Sequence, residues 1–327
     1  MVKLDIKDRK LLYYLSKDSR QSHTKLASLV KIGKNTVSYK IDRFLKEGVI
    51  NNFSTVINTG ALGVTTFTVL LKFNKDLQKN KEIIDFFTKH PFAEWIVLLS
   101  GNYDLFLEFV TTDINHFVAL LKEIKEHFQA DLNHYKVHLL EEALRVEHLV
   151  KDLYVDLGLE VIYPQKREYI PKKLDELDKK ILSVLSKNSD KTLTEIAKEI
   201  GSTWDVVRYR IKQMEKDKII LKYFPQINLL KLGYLRFICE LDLHNLDNEK
   251  FKKIRYIIKV NDNITYAFAN SNSMSILLDC SFKSISDLDS FLSKLQEDFK
   301  ENIININYNI VREELKFDLF PDGLLQS

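Results

Sequence analysis

The chain contains one sequence pattern twice, at a spacing of 170 residues. The segment that begins at Leu4 returns at Leu174, and 16 of the 50 positions in residues 4–53 are identical in residues 174–223. Solenoid repeats have shorter periods of roughly 20–50 residues, so this period indicates a duplicated domain pair. We therefore expect an intrachain pseudo-dimer, the covalent counterpart of a homodimer, whose two copies are free to diverge.

Composition places the chain among globular proteins with apolar cores. Of its 327 residues, 45% are hydrophobic and 29% are charged, which is ordinary for such proteins. No apolar run approaches the roughly 18–20 residues that a membrane helix needs, and the N-terminal residues lack the apolar stretch of a signal peptide. Cys239 and Cys280 lie in apolar, strand-like runs, so we predict buried reduced thiols. We expect a cytoplasmic protein without a membrane partner.

Positive charge is concentrated where each copy begins. Residues 1–53 carry a net charge of +7 and residues 172–223 carry +4, whereas the whole chain carries only +3. Clustered Lys and Arg are typical of surfaces that meet polyanions. The smaller excess in the second copy indicates that the two segments are not equivalent.

Each basic segment has the pattern of three short helices. In the first, apolar residues recur at helical spacing from Leu4, Ser22 can cap the second helix, and Lys31-Ile32-Gly33 forms a short turn. The third helix is expected from about Lys34 to Glu47. A tight turn between the second and third helices is the helix-turn-helix arrangement, which places its last helix in the major groove of DNA.

Polar side chains that suit DNA occupy the outer face of that third helix. Amides, hydroxyls and cationic groups are what base edges and phosphates require. The candidate DNA-binding residues are Lys34, Asn35, Thr36, Ser38, Tyr39, Lys40 and Arg43.

The second copy repeats this plan with different outer residues. Thr194 is the expected cap of its second helix and Thr203 that of its third. Asp205 is a poor neighbour for phosphate, so this helix is expected to differ in sequence preference or to make mainly phosphate contacts. The candidate DNA-binding residues are Thr203, Trp204, Arg208, Tyr209, Arg210 and Gln213.

The segments between the basic regions predict a β-α-β-β-α-β order, a ferredoxin-like unit. In the first copy, strands are expected at 65–73, 95–100, 105–111 and 133–140, with helices at 82–90 and from Asp113 to about Phe128. In the second copy, strands are expected near 237–243, 264–269, 275–280 and 303–311, with helices near 248–260 and 284–299. The fold class is α+β, a tandem duplication of a winged helix-turn-helix plus a ferredoxin-like sensor domain.

This combination resembles the Lrp/AsnC (feast/famine) family of transcription regulators, and the resemblance covers nearly the whole chain twice. The residues that carry it in the first copy are Leu4, Asp5, Asp8, Ala27, Thr36, Val37, Ile41, Gly48, Val49, Ile50, Asn58, Leu62, Gly63 and Gly101-Asn102-Tyr103-Asp104. It implies a sequence-specific regulator that binds double-stranded DNA and responds to an amino acid or a related small molecule. It also allows whole chains to assemble into homo-oligomers.

The expected organisation has two copies and a linker. Helix-turn-helix domain 1 is expected at residues 1–57 and sensor domain 1 at 58–148. A linker at 149–171 is expected to pack on the sensor domains, since Leu153–Leu157 and Val161–Tyr163 alternate like strands. Helix-turn-helix domain 2 is expected at 172–227 and sensor domain 2 at 228–320.

The resemblance implies an effector site at the turn formed by Gly101, Asn102, Tyr103 and Asp104. Amides exposed at a glycine turn suit a carboxylate and Asp104 suits an ammonium group, although the same residues also make an ordinary hairpin turn. The 170-residue spacing places Ser271-Asn272-Ser273-Met274 at the second turn. We therefore expect effector binding in the first copy alone.

Three functions are compatible with this organisation, and a non-enzymatic DNA-binding regulator without cofactor or metal is the first. Sirohaem decarboxylases share the architecture but carry a motif with His, Tyr and Arg where this chain has Pro91-Phe92-Ala93-Glu94-Trp95. A sensor or adaptor that has lost DNA binding is the third. Six histidines fall in residues 90–148, where His134 and His138 share a strand face; solvated positions are expected rather than a metal or acid–base cluster.

Overall fold

The computed structural model describes residues 1–77, 80–159, 171–270 and 275–326. Copy one, residues 1–148, contains three helices, a strand, a short helix and then the sensor elements. They are α1 (Ile6–Lys17), α2 (His23–Val30), α3 (Lys34–Lys46), β1 (Ile50–Ile57), α4 (Thr59–Leu62), β2 (Thr65–Phe73), α5 (Lys81–Lys89), β3 (Ala93–Gly101), β4 (Leu105–Thr111), α6 (Ile114–His127), β5 (Leu132–Leu139) and β6 (Glu142–Val146).

Copy two, from residue 172 onward, has the same order with a 3₁₀ turn at Leu229–Leu232 in place of α4. Its elements are α7 (Glu176–Lys187), α8 (Leu193–Ile200), α9 (Trp204–Lys216), β7 (Ile220–Ile227), β8 (Leu235–Leu243), α10 (Asn248–Val260), β9 (Ile264–Asn270), β10 (Ser275–Phe282), α11 (Ile285–Asp298), β11 (Ile303–Phe317) and α12 (Gly323–Gln326). The predicted α+β class and the β-α-β-β-α-β order are confirmed in each copy. None of the helices in the described ranges is long and apolar enough to cross a membrane.

Side-chain caps fix where the helices begin. Asp5 and Asp175 cap α1 and α7 through equivalent capping boxes, and Ser22 caps α2 as predicted. The prediction of Thr194 for α8 is wrong, because Thr192 is the cap. Thr192 accepts a hydrogen bond from the Glu195 N–H at 3.2 Å, and the Glu195 carboxylate accepts one from the Thr192 N–H at 2.7 Å. Such a box satisfies two N–H groups that the first helical turn leaves unpaired.

The chain folds into two compact units, and neither unit is a copy. Unit 1 contains Met1–Asn52, Pro225–Val311 and the described part of Leu140–Lys166. Unit 2 contains Phe53–Leu139, Arg312–Ser327 and Arg167–Phe224 in their described parts. Each unit thus combines the helix-turn-helix of one copy with the sensor sheet of the other copy.

In unit 1 the sheet has the order β11-β8-β10-β9-β6, with α10 and α11 contributing to its apolar core. Four of these strands come from copy two, whereas β6 comes from copy one and pairs antiparallel with β9, Glu142 facing Ala269. Leu144 of β6 is buried in the copy-two core. Copy one therefore supplies part of the copy-two sensor.

Unit 1 also holds α1–α3 and the described part of the linker. Arg9 forms a two-point ion pair with Asp156 at 2.9 Å, and the rings of Tyr13 and Tyr154 lie 4.9 Å apart. The Tyr234 hydroxyl donates to Asp152 at 2.6 Å. The predicted strand-like form of Leu153–Leu157 is wrong, because the segment forms two 3₁₀ turns, Lys151–Leu153 and Val155–Leu157. Val161–Tyr163 lies outside the described residues.

Unit 2 repeats the exchange in the opposite sense. Its sheet has the order β5-β2-β4-β3, and the residues of β11 after Val311 lie beside β3. α5 and α6 pack over the sheet. The core of α7–α9 includes Ile57, Ala61 and Val110 from copy one and Phe320 and Leu324 from the C-terminal segment.

The exchange corrects the predicted last strand of each sensor. The run expected as one strand at 133–140 is followed by β6, and the strand expected to end at Val311 continues to Phe317. The sequence predicted a strand in each place, but a strand prediction does not say which sheet the strand joins.

The exchange also reveals a one-residue shift in the repeat. Phe67 in β2 and Phe237 in β8 are equivalent and lie 170 residues apart. Their partners on the neighbouring strands, Leu139 and Ile310, lie 171 residues apart. The spacing is 171 residues from the ends of α5 and α10, capped by His90 and Asn261, onward. By this register Arg145 and Lys316 are equivalent residues.

Candidate nucleic-acid interface and effector turn

A short turn joins α2 to α3 in copy one and α8 to α9 in copy two. Lys31 and Gly201 end the preceding helices with φ values of 59° and 69°, in the left-handed region. The chain then re-enters a helix at Lys34 and at Trp204. The N-terminal turns of α3 and α9 are thereby presented to solvent, which is the arrangement that a recognition helix requires.

Asp8 fixes the orientation of α3 on α1. Lys40 Nζ lies 2.6 Å from an Asp8 carboxylate oxygen and 3.0 Å from Asp5, while an Arg43 nitrogen lies 2.8 Å from Asp8. Burial opposes the charged form of Lys40, but the two aspartates raise the pKa of its ammonium group. Both cations are already neutralised inside the domain, so they are poorly placed to bind phosphate.

The other five candidates on α3 are four exposed residues and one serine that contacts a histidine of the same domain. Ser38 is half-buried and its hydroxyl lies 2.8 Å from His23 Nδ1. The exposed face consists of Lys34, Asn35, Thr36 and Tyr39. Tyr39 is 66% exposed, so its ring and hydroxyl are available to a ligand.

Copy two reproduces the acid–cation pair, in a more exposed form, and the exposed face. Arg210, which is equivalent to Lys40, lies 2.7 Å from Asp175 and 3.3 Å from Asp178. The Gln213 amide donates to Asp217 at 3.0 Å. The exposed candidates are Thr203, Trp204, Arg208 and Tyr209, with Asp205 beside them. Tyr209 is 67% exposed, so the two copies present a tyrosine equally.

Sequence reasoning missed the aspartates that hold these cations. The helix pattern identifies Asp8 and Asp178 only as residues near a helix start. The signal was available: an acid at Asp8 and Asp178 recurs with a cation at Lys40 and Arg210 at the same spacing. A charge pair that is kept in two diverging copies indicates a structural contact.

The four predicted effector residues form a turn between β3 and β4. Gly101 has a φ of 142°, a value that favours glycine. Asn102 is exposed, whereas Tyr103 is buried with its ring 5.3 Å from that of His134. The predicted turn is therefore present, and the polar side chain of Asn102 is exposed on it.

Asp104 is engaged within its own domain. One carboxylate oxygen lies 2.7 Å from Lys72 Nζ, and the other accepts the Phe73 N–H at 2.8 Å. Lys72 also donates to the Gly101 carbonyl at 3.4 Å. Lys72 was not among the predicted site residues, since a single Lys on a strand gives no signal of its partner.

The counterpart turn in copy two falls largely outside the described residues, which exclude 271–274. The β9–β10 register, with Ser275 facing Asn270, shifts the alignment of the two copies by one residue at this turn. Ser275, rather than Met274, is thus the equivalent of Asp104. The inference that copy two lacks this carboxylate is unchanged.

The cysteines and histidines lie mainly in structural positions. Cys239 and Cys280 are buried as predicted, with sulfur atoms 3.6 Å apart. The prediction of solvated histidines is wrong for His90, His138 and His148, which are buried. Burial, with lesser effects of Lys316 and His116, lowers the pKa of His90 to about 4. Among the described residues, no group of three or more acidic, Cys or His side chains could hold a metal ion.

Known proteins match this chain by parts and as a whole. The model of winged helix-turn-helix DNA-binding domains matches residues 4–51 and 174–220. An uncharacterized HTH-type transcriptional regulator of Pyrococcus furiosus is 30% identical over 146 residues, which are 44% of this chain and 94% of that protein. A similar regulator of Pyrococcus abyssi is 30% identical over 145 residues, again 94% of its length.

One solved structure covers nearly all of the chain. The siroheme decarboxylase NirDL matches 98% of this chain and 96% of its own, with a TM-score of 0.65 and 12% identity, so the likeness is one of fold. An AsnC family transcriptional regulator from Agrobacterium tumefaciens matches 48% of this chain and 100% of its own at 20% identity, with a TM-score of 0.39. The chain belongs to the family of HTH-type transcriptional regulators, and it carries the winged helix-turn-helix domain of that family twice in tandem.

Proposed function

We propose that the chain regulates transcription by binding double-stranded DNA with the exposed faces of α3 and α9. The observation that carries the proposal is the repeated design of these helices: an acid–cation pair holds each helix, and an equally exposed tyrosine stands on each. The exposed residues that would bind DNA are Lys34, Asn35, Thr36 and Tyr39 on α3 and Thr203, Trp204, Arg208 and Tyr209 near α9. Such a regulator would act in the cytoplasm.

Lys40, Arg43 and Arg210 have a different role in this proposal. Their cationic groups are paired with Asp8, Asp175 and Asp178, so they would orient the recognition helices rather than contact DNA. Ser38 and Gln213 are likewise hydrogen-bonded inside their domains.

Binding of labelled genomic duplexes at several salt concentrations tests the function. We expect affinity to fall steeply with salt, because cations on DNA phosphates are released when a protein binds. Lys34→Ala and Arg208→Ala should each reduce the slope by about one, the change expected when one phosphate fewer is neutralised. Lys122→Ala is the matched control, since Lys122 is exposed on α6, outside the helix-turn-helix domains. Salt-independent or absent binding would instead support an adaptor without DNA binding.

The structure supports regulation over catalysis at the place where an enzyme motif would lie. The His90 Nδ1 atom accepts the Phe92 N–H at 3.2 Å, and the Trp95 indole donates to Glu314 at 3.0 Å. These side chains are committed to the fold, and residues 91–95 contain neither His nor Arg. Titration with an iron tetrapyrrole, followed by absorbance, should show no saturable spectral change; a stoichiometric change would favour the decarboxylase alternative.

We further propose that a small-molecule effector binds at Gly101–Asp104. The Lys72 ammonium group and exposed Asn102 would bind a carboxylate, whereas Asp104 would reach a ligand ammonium only by sharing its contact with Lys72. Calorimetric titration with an amino-acid panel should find at most one site per chain. Asn102→Ala should weaken binding, and two equivalent sites would refute the asymmetry.

The division of each unit between copies supports an intrachain pseudo-dimer. A single chain would then provide the two DNA-binding domains that a family dimer obtains from two chains. Light scattering should show masses that are whole multiples of the 38.4 kDa chain, either one chain or a homo-oligomer of whole chains. Partial unfolding of half-chains upon dilution would contradict this assignment.

A further inference from the structure

The N-terminal turns of α3 and α9 carry different chemistry on the same scaffold. At the 170-residue spacing, each of the first three helical positions differs between the copies, and all six side chains are exposed. The pairs are Lys34 with Trp204, Asn35 with Asp205, and Thr36 with Val206. Residues at this end of a recognition helix contact base edges in helix-turn-helix complexes.

The α3 set is polar and can both donate and accept hydrogen bonds. An asparagine amide matches the paired acceptor and donor of adenine, and lysine donates to the acceptors of guanine. Threonine contributes a hydroxyl group. This helix end therefore suits purines presented in the major groove.

The α9 set has no amide, ammonium or hydroxyl donor, and its one side-chain donor is the indole N–H of Trp204. Trp204 and Val206 are 47% and 39% exposed, and apolar groups in the major groove contact the thymine methyl group. Asp205 only accepts hydrogen bonds, which suits the cytosine amino group. An acid also suits the positive end of a helix, so the two apolar residues carry the inference and Asp205 supports it.

The residues that support α3 and α9 do not account for the difference between their N-terminal turns. The acid–cation pairs Asp8–Lys40 and Asp178–Arg210 recur, as do the exposed tyrosines at 39 and 209. Val37 and Val207 are fully buried at the same position of the core. The two copies thus keep the support and differ on the face that would meet DNA.

We propose that the two recognition helices read different half-sites, so that the operator is not a palindrome. The α3 half-site presents adenine or guanine, and the α9 half-site presents thymine methyl and cytosine amino groups. This inference rests on the proposed DNA-binding function. It predicts an asymmetric operator, whereas a family member built from two identical chains would have no reason to prefer one.

Selection of DNA by the full-length chain tests the inference. The library holds two randomised half-sites at several spacings, and three proteins are compared: the parent chain, the variant Trp204→Lys/Asp205→Asn/Val206→Thr, and the reciprocal variant Lys34→Trp/Asn35→Asp/Thr36→Val. The substituted side chains are exposed, so thermal unfolding should be nearly unchanged. The parent is expected to select two dissimilar half-sites.

Each variant is expected to select a nearly symmetric site made of its repeated half. Against a duplex with two α3 half-sites, the first variant should bind at least about tenfold more tightly than the parent, since each mismatched base pair costs about 1–3 kcal/mol. A palindrome selected by the parent, or selected sequences that the exchanges leave unchanged, would overturn this inference alone. Failure of the parent to bind any duplex would overturn the proposed function together with it.

Discussion

The two units receive their exchanged strands in the same way but bury different polar groups beneath them. In unit 1, Arg145 of β6 donates to the carbonyls of Ile258 and Lys259 at 3.0 Å and to that of Asn261, at the C-terminus of α10. In unit 2, the equivalent Lys316 donates to the His90 carbonyl at 3.1 Å, at the C-terminus of α5. A cation at the C-terminal end of a helix donates hydrogen bonds to carbonyls that the helix leaves unpaired. It also interacts favourably with the negative end of the helix dipole.

The two units differ in how completely their buried polar groups are hydrogen-bonded. Arg145 is 1% exposed and distributes its donors over three carbonyls. Unit 2 instead buries Glu94 where unit 1 has Thr265, whose hydroxyl donates to the Asp279 carbonyl at 3.1 Å. The comparison teaches that duplication kept the exchange and the capping contact, while the polar residues around them diverged. Substitutions at equivalent positions can test each part of that statement.

The largest expected effect is at the ion pair that holds α3. The Asp8 side chain is 2% exposed beneath Lys40 and Arg43, so Asp8→Asn leaves two cations without their acid and should cost about 3 kcal/mol of unfolding free energy. Asp178→Asn should cost about 1 kcal/mol, because that pair is longer and more exposed. Chemical denaturation followed by circular dichroism measures both. Glu47→Gln, which alters an exposed acid near Arg43, is the control, and equal losses at Asp8 and Asp178 would contradict the ranking.

The helix-capping contacts come next. Arg145→Met should destabilise unit 1 by about 2–3 kcal/mol, because several buried carbonyls lose a charged donor. Lys316→Met should cost about 1 kcal/mol, since burial already lowers the pKa of its ammonium group and one carbonyl is affected. Hydrogen exchange should quicken at the end of α10 in the first variant and at the end of α5 in the second. Arg255→Met removes a more exposed arginine of α10; a loss there as large as that for Arg145 would rule out a specific capping role.

The buried acid of unit 2 should give a pH-dependent stability. Burial, assisted by the negative charge of Asp318, raises the pKa of Glu94 from 4.5 to about 8. The folded state therefore binds a proton that the unfolded state releases, and stability falls as pH rises from about 4.5 to about 8. The lowered pKa of His90 acts in the opposite direction between about 4 and 6.5, so the effect of Glu94 is cleanest above pH 6.5.

Replacement by the neutral amide should remove that dependence. Between pH 6.5 and 8, Glu94→Gln should abolish a loss of up to about 2 kcal/mol that the parent shows. Denaturation at four pH values measures it. Thr265→Ser in unit 1 is the matched control, because it keeps the hydroxyl and adds no titrating group. A parent chain with flat stability in this range would refute the assignment of a raised pKa to Glu94.

The smallest expected effect is at the turns before the recognition helices. Lys31 adopts the left-handed conformation that glycine occupies at the equivalent Gly201. Lys31→Gly should stabilise the chain and Gly201→Ala should destabilise it, each by about 1 kcal/mol. Gly33→Ala is the control, since Gly33 has a φ of −71° and its added methyl group would meet only Thr36 at 3.5 Å. Shifts of the same sign in the two main variants would contradict this interpretation.

Much of the fold was predictable because periodicity reports burial. The strands at Thr65–Phe73, which is rich in β-branched and aromatic residues, and at Leu105–Thr111 were predicted with their observed ends, and Asp113 caps α6 as predicted. Periodicity gives the buried face of an element but not the element that covers it. The strand β6 and its placement on the copy-two sheet were therefore not predicted.

The candidate site was less predictable for a related reason. A position on the outer face of an isolated helix does not reveal a partner on another helix, so Lys40 and Arg43 looked available until Asp8 was placed beside them. The same holds for Asp104 and Lys72, which lie 32 residues apart. Exposed positions such as Tyr39 and Trp204 were identified correctly, because they need no partner to remain exposed.

The exchanged strand has a consequence for synthesis of the chain on the ribosome. Leu144 and Arg145 are made early, yet their binding partners lie in a sheet that is complete only at Val311. At roughly 5–20 residues per second, the nascent chain spends about 8–33 seconds between these points. During that interval Leu144 lacks the complete apolar core in which it is buried in the finished chain. In a fused repeat, correct strand pairing therefore depends on the order in which one polypeptide emerges from the ribosome. In a dimer of separate chains it depends on encounters between finished proteins.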